Sequence, residues 1–319
     1  MRTIAILTSG GDAPGMNAAI RAVVRAASYY DMKVYGIKNG YSGLTEGNLE
    51  LMGVSSVADI IQRGGTILGT ARSKEFLTEE GQQRALNVLD IYGIEGLIVL
   101  GGDGTFRGAK ALSEKGFPVI GIPCTIDNDL GYSEYTIGFF TAVETAVDAI
   151  GKIRDTSSSH GRASVIEVMG RHCGDIALYS GLAGGAESII LPEIYTDMDQ
   201  VLQKVLQGRN RGKRQNLIIM AEGTGDPYEV AETIRMKTNI ETRVTILGHI
   251  QRGGTPIAID RIIASEMGIV AVEKLRDRDI NILLGIRNNN IYTIPIDKGL
   301  LCGKSIKKGL YNTVGILSI

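Results

Sequence analysis

The sequence predicts an α/β protein whose sheets are mostly parallel. Short apolar runs of strand length alternate with longer segments of helical periodicity along most of the 319 residues. Glycine-rich turns follow many of the apolar runs, as expected where parallel strands lead into returning helices. Glycine accounts for 42 residues, above the typical share of about 7%, with no collagen-like period. The excess glycine therefore indicates turns where backbone meets a ligand.

The predicted elements follow one another in a regular order. Strands are predicted at residues 2–8, 33–37, 97–100, 118–122, 163–168, 188–191, 216–221, 243–247 and 282–286. Helices are predicted at residues 15–29, 57–61, 78–92, 141–154 and 257–274, with a further helical pattern through 109–112. The run 97–100 has the length and branching of a strand buried on both faces. Thr78 is a suitable N-cap for its helix, and Gly93 a suitable stop. The last thirty residues show no clear pattern.

Length and composition restrict the class of protein. At about 150 residues per domain, the chain predicts two domains. A net charge of −1 disfavours binding to nucleic acid or to a membrane surface. The cysteines Cys124, Cys173 and Cys302 form no CxxC pair and suit a reducing compartment. No signal peptide is recognised, and no apolar run approaches about 18 residues. We therefore expect a soluble cytoplasmic protein.

The stretch Gly101-Gly102-Asp103-Gly104-Thr105 is the motif around which the sequence is organised. It follows a predicted buried strand and opens a helical pattern. Backbone N–H groups at such a turn can bind a phosphate, which the missing glycine side chains allow to come close. An aspartate there would repel a bare phosphate, so a divalent cation between the two is expected. We hypothesise a nucleoside-triphosphate and Mg²⁺ site, with Asp103 facing the metal.

A second acidic motif, Thr125-Ile126-Asp127-Asn128-Asp129, directly follows another predicted buried strand. Two carboxylates in this spacing can form an ordinary Asx-rich turn. The alternative is chemistry, because phosphoryl transfer to a hydroxyl needs a carboxylate that accepts its proton. Asp127 as base and Asp103 at the metal would divide these two tasks.

Cationic side chains next to glycine turns or strand ends suggest phosphate sites, although a lone arginine is usually a solvated surface residue. They are Arg72, Arg162, Arg171, Arg243, His249 and Arg252. The basic run 209–214 is either a solvated loop or a site for a second small anion.

The dinucleotide fingerprint G-x-G-x-x-G and the phosphate loop G-x-x-x-x-G-K-[ST] are both absent from the sequence. Gly303-Lys304-Ser305 resembles the end of the phosphate loop, and we interpret it as a chance match.

With these motifs, the sequence resembles the ATP-dependent 6-phosphofructokinases of the bacterial type over nearly its whole length. The resemblance rests on Leu7-Thr8-Ser9-Gly10-Gly11-Asp12-Ala13-Pro14-Gly15-Met16-Asn17, Gly101-Gly102-Asp103-Gly104, Thr125-Ile126-Asp127-Asn128-Asp129, Met169-Gly170-Arg171 and Leu247-Gly248-His249-Ile250-Gln251-Arg252-Gly253-Gly254. Gly-Gly-Asp-Gly alone is shared with NAD kinases and lipid kinases, whereas the full set in this order is specific.

The resemblance implies two Rossmann-like three-layer α/β domains, a homotetramer, and transfer of the γ-phosphoryl group of MgATP to O1 of fructose 6-phosphate. It implies an ATP-binding domain at residues 1–138 plus 251–301, and a sugar-phosphate-binding domain at 139–250 plus 302–319. It also implies a regulatory site between subunits for ADP or phosphoenolpyruvate.

The family's functional residues carry over to matching positions of this chain. Around ATP the resemblance places Gly11, Tyr41, Arg72, Ser73, Gly102, Gly104, Thr105 and Gly108, with Asp103 at Mg²⁺. For catalysis it implies Asp127 as base, with Arg171, Arg72 and Thr125 at the transferring group. The sugar-phosphate residues that it implies are Met169, Gly170 and Glu222 at the substrate, His249 and Arg252 at the 6-phosphate, and Arg162 and Arg243 from a neighbouring subunit. The regulatory site matches at Arg21, Arg25, Arg154, Gly185, Glu187, Arg211, Lys213 and Arg214.

Three positions bear on donor and regulation. Position 124 is Cys, where ATP users of the family carry Gly and pyrophosphate users Lys. Gly104 matches the ATP users, since an Asp there would crowd and repel the α-phosphate. Val54 replaces an arginine of the regulatory pocket, so a weakened effector response is expected. The alternatives are a pyrophosphate-dependent enzyme, a kinase for NAD or another hydroxyl, and a non-catalytic metabolite sensor.

Overall fold

The computed structural model describes residues 1–318; Ile319, the last position of the predicted second domain, lies outside them. The strands are β1 (Thr3–Thr8), β2 (Lys33–Ile37), β3 (Leu49–Met52), β4 (Gly96–Gly101), β5 (Val119–Pro123), β6 (Ala163–Val168), β7 (Ser188–Ile190), β8 (Asn216–Ala221), β9 (Thr242–Ile246), β10 (Ile282–Arg287) and β11 (Asn290–Pro295). The α-helices are α1 (Met16–Tyr29), α2 (Gly40–Glu46), α3 (Glu79–Ile91), α4 (Asp103–Glu114), α5 (Phe139–His160), α6 (Asp175–Ala183), α7 (Met198–Asn210), α8 (Pro227–Thr238), α9 (Ala258–Arg276), α10 (Ile296–Gly299) and α11 (Lys308–Leu317).

The chain forms two compact units. Unit 1 comprises Met1–Ile126, Leu130–Thr141 and Arg252–Gly303; unit 2 comprises Asp127–Asp129, Ala142–Gln251 and the chain from Lys304 onward. Each unit has its own sheet. The α/β class with predominantly parallel sheets is confirmed. Which ligand each unit binds stays a prediction.

The sheet of unit 1 has, within residues 1–318, the strand order β11-β10-β5-β4-β1-β2-β3. The strands from β10 to β2 are parallel, and β3 and β11 add antiparallel edges. β4 is fully buried, as its apolar sequence predicts. On one side of the sheet Leu97 and Val99 share a buried core with Phe106 and Leu112 of α4. This core fixes the start of α4 against the ends of the central strands.

Helices α1 and α9 pack closely against each other in unit 1. A Cβ built on Gly268 would lie 2.5 Å from Cβ of Ala22, so the glycine allows this approach. α1 buries Ile20, Val23 and Val24, the apolar stripe that its helical periodicity predicts. Its start is set by Gly15, whose φ of 103° is one that glycine adopts without strain.

Unit 2 contains, among the described residues, a parallel sheet of order β7-β8-β6-β9. Val165, Ile218 and Met220 belong to its core, which α7 and α8 cover. Both helices begin with an aspartate N-cap: Asp197 accepts a hydrogen bond from the N–H of Asp199 at 3.0 Å, and Asp226 one from Tyr228 at 2.8 Å.

Two local predictions differ from the structure. The helix expected at 57–61 is a short 3-10 helix at Val54–Val57; it ends because Ala58 is extended and Asp59 has a φ of 53°. The unpatterned last thirty residues contain β11, α10 and α11. β10 and β11 form a hairpin whose two-residue turn, Asn288-Asn289, has φ values of 51° and 59°. Among residues 1–318, none of the helices has the length and apolar character needed to cross a bilayer.

Candidate active site

Three predicted site loops of unit 1 follow neighbouring strands of its sheet. β1, β4 and β5 lie side by side, and their carboxyl ends lead into the loops that begin at Ser9, Gly102 and Cys124. The chain runs outward from β1 in one direction and from β4 in the other, so the strand order reverses between them. Ligands of open α/β sheets bind beyond strand carboxyl ends at such a reversal. The structure thus brings two of the predicted glycine turns to one place.

Two hydrogen bonds hold the turns after β1 and β4 together. The N–H of Ser9 donates to the carbonyl of Leu100 at 3.0 Å. The hydroxyl of Thr105 donates to the carbonyl of Ser9, also at 3.0 Å, and Thr105 is buried. Thr105 is therefore a support beneath the turns.

The start of α4 is open on its outer side. A Cβ built on Gly104 would meet no atom within 4 Å, while one on Gly102 would lie 3.7 Å from Thr125. The first N–H groups of a helix carry partial positive charge and lack partners within the helix. The geometry fits an anion at this turn, as the sequence predicts.

Asp103 is the first residue of α4, and its side chain is 44% exposed. Nε of Arg107 lies 2.7 Å from Oδ2 of Asp103, and this carboxylate raises the pKa of Arg107. Arg107 was not among the predicted site residues, although its i,i+4 spacing from Asp103 could have indicated the pair. Among residues 1–318 no cluster of three or more metal-ligating side chains exists. Mg²⁺ commonly takes one or two carboxylates together with substrate phosphates, so an exposed Asp103 fits that ion.

Tyr41 lies inside unit 1, underneath α4. Its ring stacks on Phe76 with centroids 4.1 Å apart, and its hydroxyl donates to the carbonyl of Thr105 at 2.7 Å. Burial raises its pKa. A Cβ built on Gly108 would lie 2.6 Å from this ring. Both Tyr41 and Gly108 therefore position α4, and their predicted contacts with ATP are untested.

The other predicted donor-site residues of unit 1 are Gly11, Arg72 and Ser73. The guanidinium of Arg252 packs directly over Gly11, so a side chain at position 11 would require this guanidinium to move. Arg72 is exposed, and the hydroxyl of Ser73 accepts a hydrogen bond from the N–H of Phe76 at 3.1 Å.

Cys124 follows β5 but does not face solvent. Its side chain is fully buried, and its N–H donates to the carbonyl of Gly101 at 2.9 Å. Burial raises the pKa of the thiol well above its usual value, so it remains neutral. The substitution at this position therefore places a small apolar group in the interior.

The predicted acceptor loops of unit 2 also follow neighbouring strands. β8, β6 and β9 lie side by side, and their carboxyl ends lead to Glu222, Met169 and Gly248. Gly170 has a φ of 127°, which lets the chain turn so that Arg171 is exposed. His249 is exposed on the 3-10 helix Gly248–Arg252.

Gln251 joins two of these loops and was missed as a supporting residue. It is completely buried. Its Oε1 accepts a hydrogen bond from the N–H of Met169 at 3.1 Å, and its Nε2 donates to the carbonyl of Gly248 at 2.9 Å. Met169 is 82 positions away in the sequence, so no local pattern indicates this contact.

Two of the predicted cationic residues of unit 2 lie at the opposite strand ends from Arg171 and His249. Arg162 precedes β6 and Arg243 lies near the start of β9, at the amino ends of these parallel strands. Arg171 and His249 lie at the carboxyl ends. Arg162 and Arg243 both pair with Glu241, at 2.8 and 2.6 Å. Within unit 2, these two arginines therefore lie at the other strand ends from Arg171 and His249.

The predicted regulatory residues of unit 2 partly share a cavity of about 330 Å³. Glu187, Arg211 and Lys213 line it together with Lys204. Glu187 is buried, pairs with Lys213 and accepts a hydrogen bond from the N–H of Leu217.

The remaining regulatory residues lie elsewhere in the chain. Arg214 lines a separate cavity of about 160 Å³ beside Lys213. A Cβ built on Gly185 would lie 3.1 Å from Nη2 of Arg154. Arg21 and Arg25 belong to α1 in unit 1.

A family model described as phosphofructokinase matches residues 3–275, so the chain belongs to the phosphofructokinase family. Two curated relatives, both named ATP-dependent 6-phosphofructokinase, come from Finegoldia magna and Alkaliphilus metalliredigens. They are 57% and 59% identical over 319 residues, with full coverage of both chains in each case.

Solved structures agree with this assignment. Phosphofructokinase from Saccharomyces cerevisiae matches with a TM-score of 0.89 and 35% identity. That match covers all of this chain and 48% of the yeast chain, so this chain spans about half the length of the yeast protein. The predicted family is thus confirmed.

Proposed function

We propose that this chain is an ATP-dependent 6-phosphofructokinase. It transfers the γ-phosphoryl group of ATP to O1 of fructose 6-phosphate, giving fructose 1,6-bisphosphate and ADP, as a step of glycolysis. The observation that carries the proposal is the full-length similarity to two curated proteins of that name. The match covers the whole of this chain and of both relatives, so both compact units have counterparts there.

Unit 1 is proposed to bind the phosphoryl donor. The turns after β1 and β4 supply backbone N–H groups, and the start of α4 is open at Gly104. This opening favours ATP over pyrophosphate as donor, because a carboxylate at position 104 would repel the α-phosphate. Gly11, Tyr41, Arg72, Ser73, Gly102, Thr105 and Gly108 complete the proposed ATP site.

Mg²⁺ is proposed to be held at Asp103, and when bound it neutralises phosphate charge during transfer. The Arg107 guanidinium, which is hydrogen-bonded to the Asp103 carboxylate, would then share that carboxylate with the ion. Positive charge at the donor turn therefore comes from Arg107 and the helix start, and we propose that Arg72 adds to it.

Most of the residues proposed to bind the sugar phosphate, and the proposed base Asp127, belong to unit 2, whereas Arg72, Thr125 and Arg252 belong to unit 1. Asp127 accepts the proton of the O1 hydroxyl, which makes that oxygen a better nucleophile. Arg171, Arg72 and Thr125 stabilise charge on the transferring group. Met169 and Glu222 orient the sugar, and His249 and Arg252 bind its 6-phosphate.

We further propose a homotetramer, in which Arg162 and Arg243 complete the sugar-phosphate site of a neighbouring subunit. Their place at the opposite strand ends from His249 supports a role outside their own chain's site. The cavity with Glu187, Arg211 and Lys213 is proposed to bind ADP or phosphoenolpyruvate, together with Arg21, Arg25, Arg154, Gly185 and Arg214. A cytoplasmic location stays a prediction.

The test is a matrix of donors and acceptors. ATP or pyrophosphate, each with Mg²⁺, is combined with fructose 6-phosphate or NAD, and product is followed by phosphorus NMR. We expect fructose 1,6-bisphosphate only from ATP with fructose 6-phosphate. Fructose 1,6-bisphosphate formed with pyrophosphate but not with ATP would identify a pyrophosphate-dependent enzyme. Phosphorylated NAD would identify a different kinase, and ligand binding without any product would identify a sensor.

A further inference from the structure

Asn128, the neighbour of the proposed base Asp127, has an unusual backbone that the surrounding structure holds in place. Its φ of 52° lies in the left-handed region, which asparagine tolerates better than most residues but still at some cost. Its side chain is fully buried. The Nδ2 amide donates a hydrogen bond to Oδ2 of Asp175 at 2.7 Å. The backbone carbonyl of Asn128 accepts a weaker one from Sγ of Cys173 at 3.8 Å.

Asp175 is itself supported from a distant part of the chain. It is the first residue of α6 and is 1% exposed. Nζ of Lys304 lies 3.9 Å from the same Oδ2 atom that accepts the Asn128 bond, and the Lys304 side chain is only 14% exposed. Burial raises the pKa of Asp175, while Lys304 and the Asn128 amide oppose that increase. No step of the proposed transfer uses Asp175 or Lys304.

A buried carboxylate and a buried ammonium are costly to maintain, because both lose hydration. The Asp175 carboxylate connects a short loop to unit 2. The segment Asp127–Asp129 groups with unit 2, although Ile126 before it and Leu130 after it group with unit 1. The Asn128–Asp175 hydrogen bond attaches this three-residue segment to α6 of unit 2.

We propose that Asp175 is a positioning residue for phosphoryl transfer: supported by Lys304, it acts through Asn128 to fix the direction of the Asp127 carboxylate. The inference rests on the proposed function and on the role of Asp127 as base. A base must lie within hydrogen-bonding distance of the hydroxyl it deprotonates, and a misplacement of about 1 Å can cost about 100-fold in rate. Asp175 needs no contact with either substrate for this role.

The first test separates positioning from mere stability. Asp175→Asn retains an oxygen that can accept the Asn128 bond, whereas Asp175→Leu removes it. Asp175→Leu combined with Lys304→Met avoids an unpaired buried ammonium if the single variant folds poorly. Ser180→Ala is the control, because it removes a buried hydrogen bond of 2.6 Å from the same helix.

We expect the Leu variants to lower kcat by roughly 10- to 100-fold, with KM for ATP changed by less than about 2-fold. Asp175→Asn should recover most of the rate, and Ser180→Ala should keep the wild-type kcat. Folded Leu variants with wild-type kcat would overturn the proposal.

The second test is a double-mutant cycle. Asn128→Gly keeps a backbone suited to positive φ and removes the amide donor. If Asp175 acts through Asn128, adding Asp175→Leu to Asn128→Gly should lower kcat by less than about 2-fold further. Independent, multiplying losses would overturn the proposal. A wild-type chain inactive on fructose 6-phosphate would refute the proposed function instead, and an active Asp127→Ser would refute the base role.

Discussion

The packing of Gly108 against Tyr41 gives a prediction whose size can be worked out from the structure. A Cβ built on Gly108 would lie 2.6, 2.7 and 2.9 Å from Cε2, Cζ and the hydroxyl oxygen of Tyr41. The ring cannot easily move, because it stacks on Phe76 and its hydroxyl is bonded to the carbonyl of Thr105. Gly108→Ala should therefore overpack this contact, which typically costs about 1–3 kcal/mol.

A matched control removes the effect of helix propensity. Gly151 also lies inside a helix, α5, but a Cβ built there meets no atom within 4 Å. Gly151→Ala should stabilise the protein by up to about 1 kcal/mol through propensity alone. Since both substitutions share that gain, the difference between them isolates the clash at Tyr41, about 1–3 kcal/mol in favour of Gly151→Ala.

The assay is urea unfolding of both variants beside wild type, with an apparent Tm as a second measure. Gly108→Ala should unfold at lower urea than Gly151→Ala, with an unchanged m-value. Equal unfolding free energies, within about 0.5 kcal/mol, would refute the reasoning, because the ring would then be free to move.

Three further predictions concern other parts of the chain. Asp260→Ala should lower the free energy of unfolding by at least about 2 kcal/mol in urea titrations. The reason is that the fully buried Asp260 carboxylate accepts hydrogen bonds from the N–H groups of Gly138 and Thr141 and from the Thr141 hydroxyl. An unchanged urea midpoint would contradict this. Arg162 and Arg243 hold the pKa of Glu241 below its usual range, so these pairs stabilise at neutral pH and are lost as pH falls through the lowered pKa. Glu241→Gln should therefore flatten the acid side of the Tm profile, and a curve parallel to wild type would count against the pairing. Val54→Arg should tighten phosphoenolpyruvate binding by roughly 10- to 100-fold in calorimetry if position 54 contributes to the regulatory site, and unchanged affinity would exclude that contribution.

The sequence predicts the central strands well because each is a short apolar run followed by a glycine turn. β3 was not predicted because it is a four-residue edge strand in which only Met52 is buried. α6 was not predicted for the opposite reason: six of its nine residues are buried and they lie on several faces, so no amphipathic period marks it. β11 follows an Asn-Asn turn, a weaker hairpin signal than Asn-Gly. α7 and α8 carry N-cap signals at Asp197 and Asp226 that the sequence prediction omitted.

The sequence pattern places Asp103 just beyond a strand end, and the family resemblance adds Met169 and Glu222 at similar positions; the structure has all three just beyond strand ends, while their roles stay predictions. The residues that support these loops could not be predicted in the same way, because their partners are remote in the sequence. Gln251 bonds the N–H of Met169 across 82 positions, and Asn128 bonds Asp175 across 47. Tertiary packing creates such pairs, and no local periodicity indicates them.

The most direct test of the proposed chemistry is the kcat of Asp127→Ser with MgATP and fructose 6-phosphate at saturation. A general base typically contributes about 10²- to 10⁴-fold, so we expect a loss of that size with KM for ATP nearly unchanged. A folded Asp127→Ser variant with a rate close to that of wild type would contradict the assignment of Asp127 as the base.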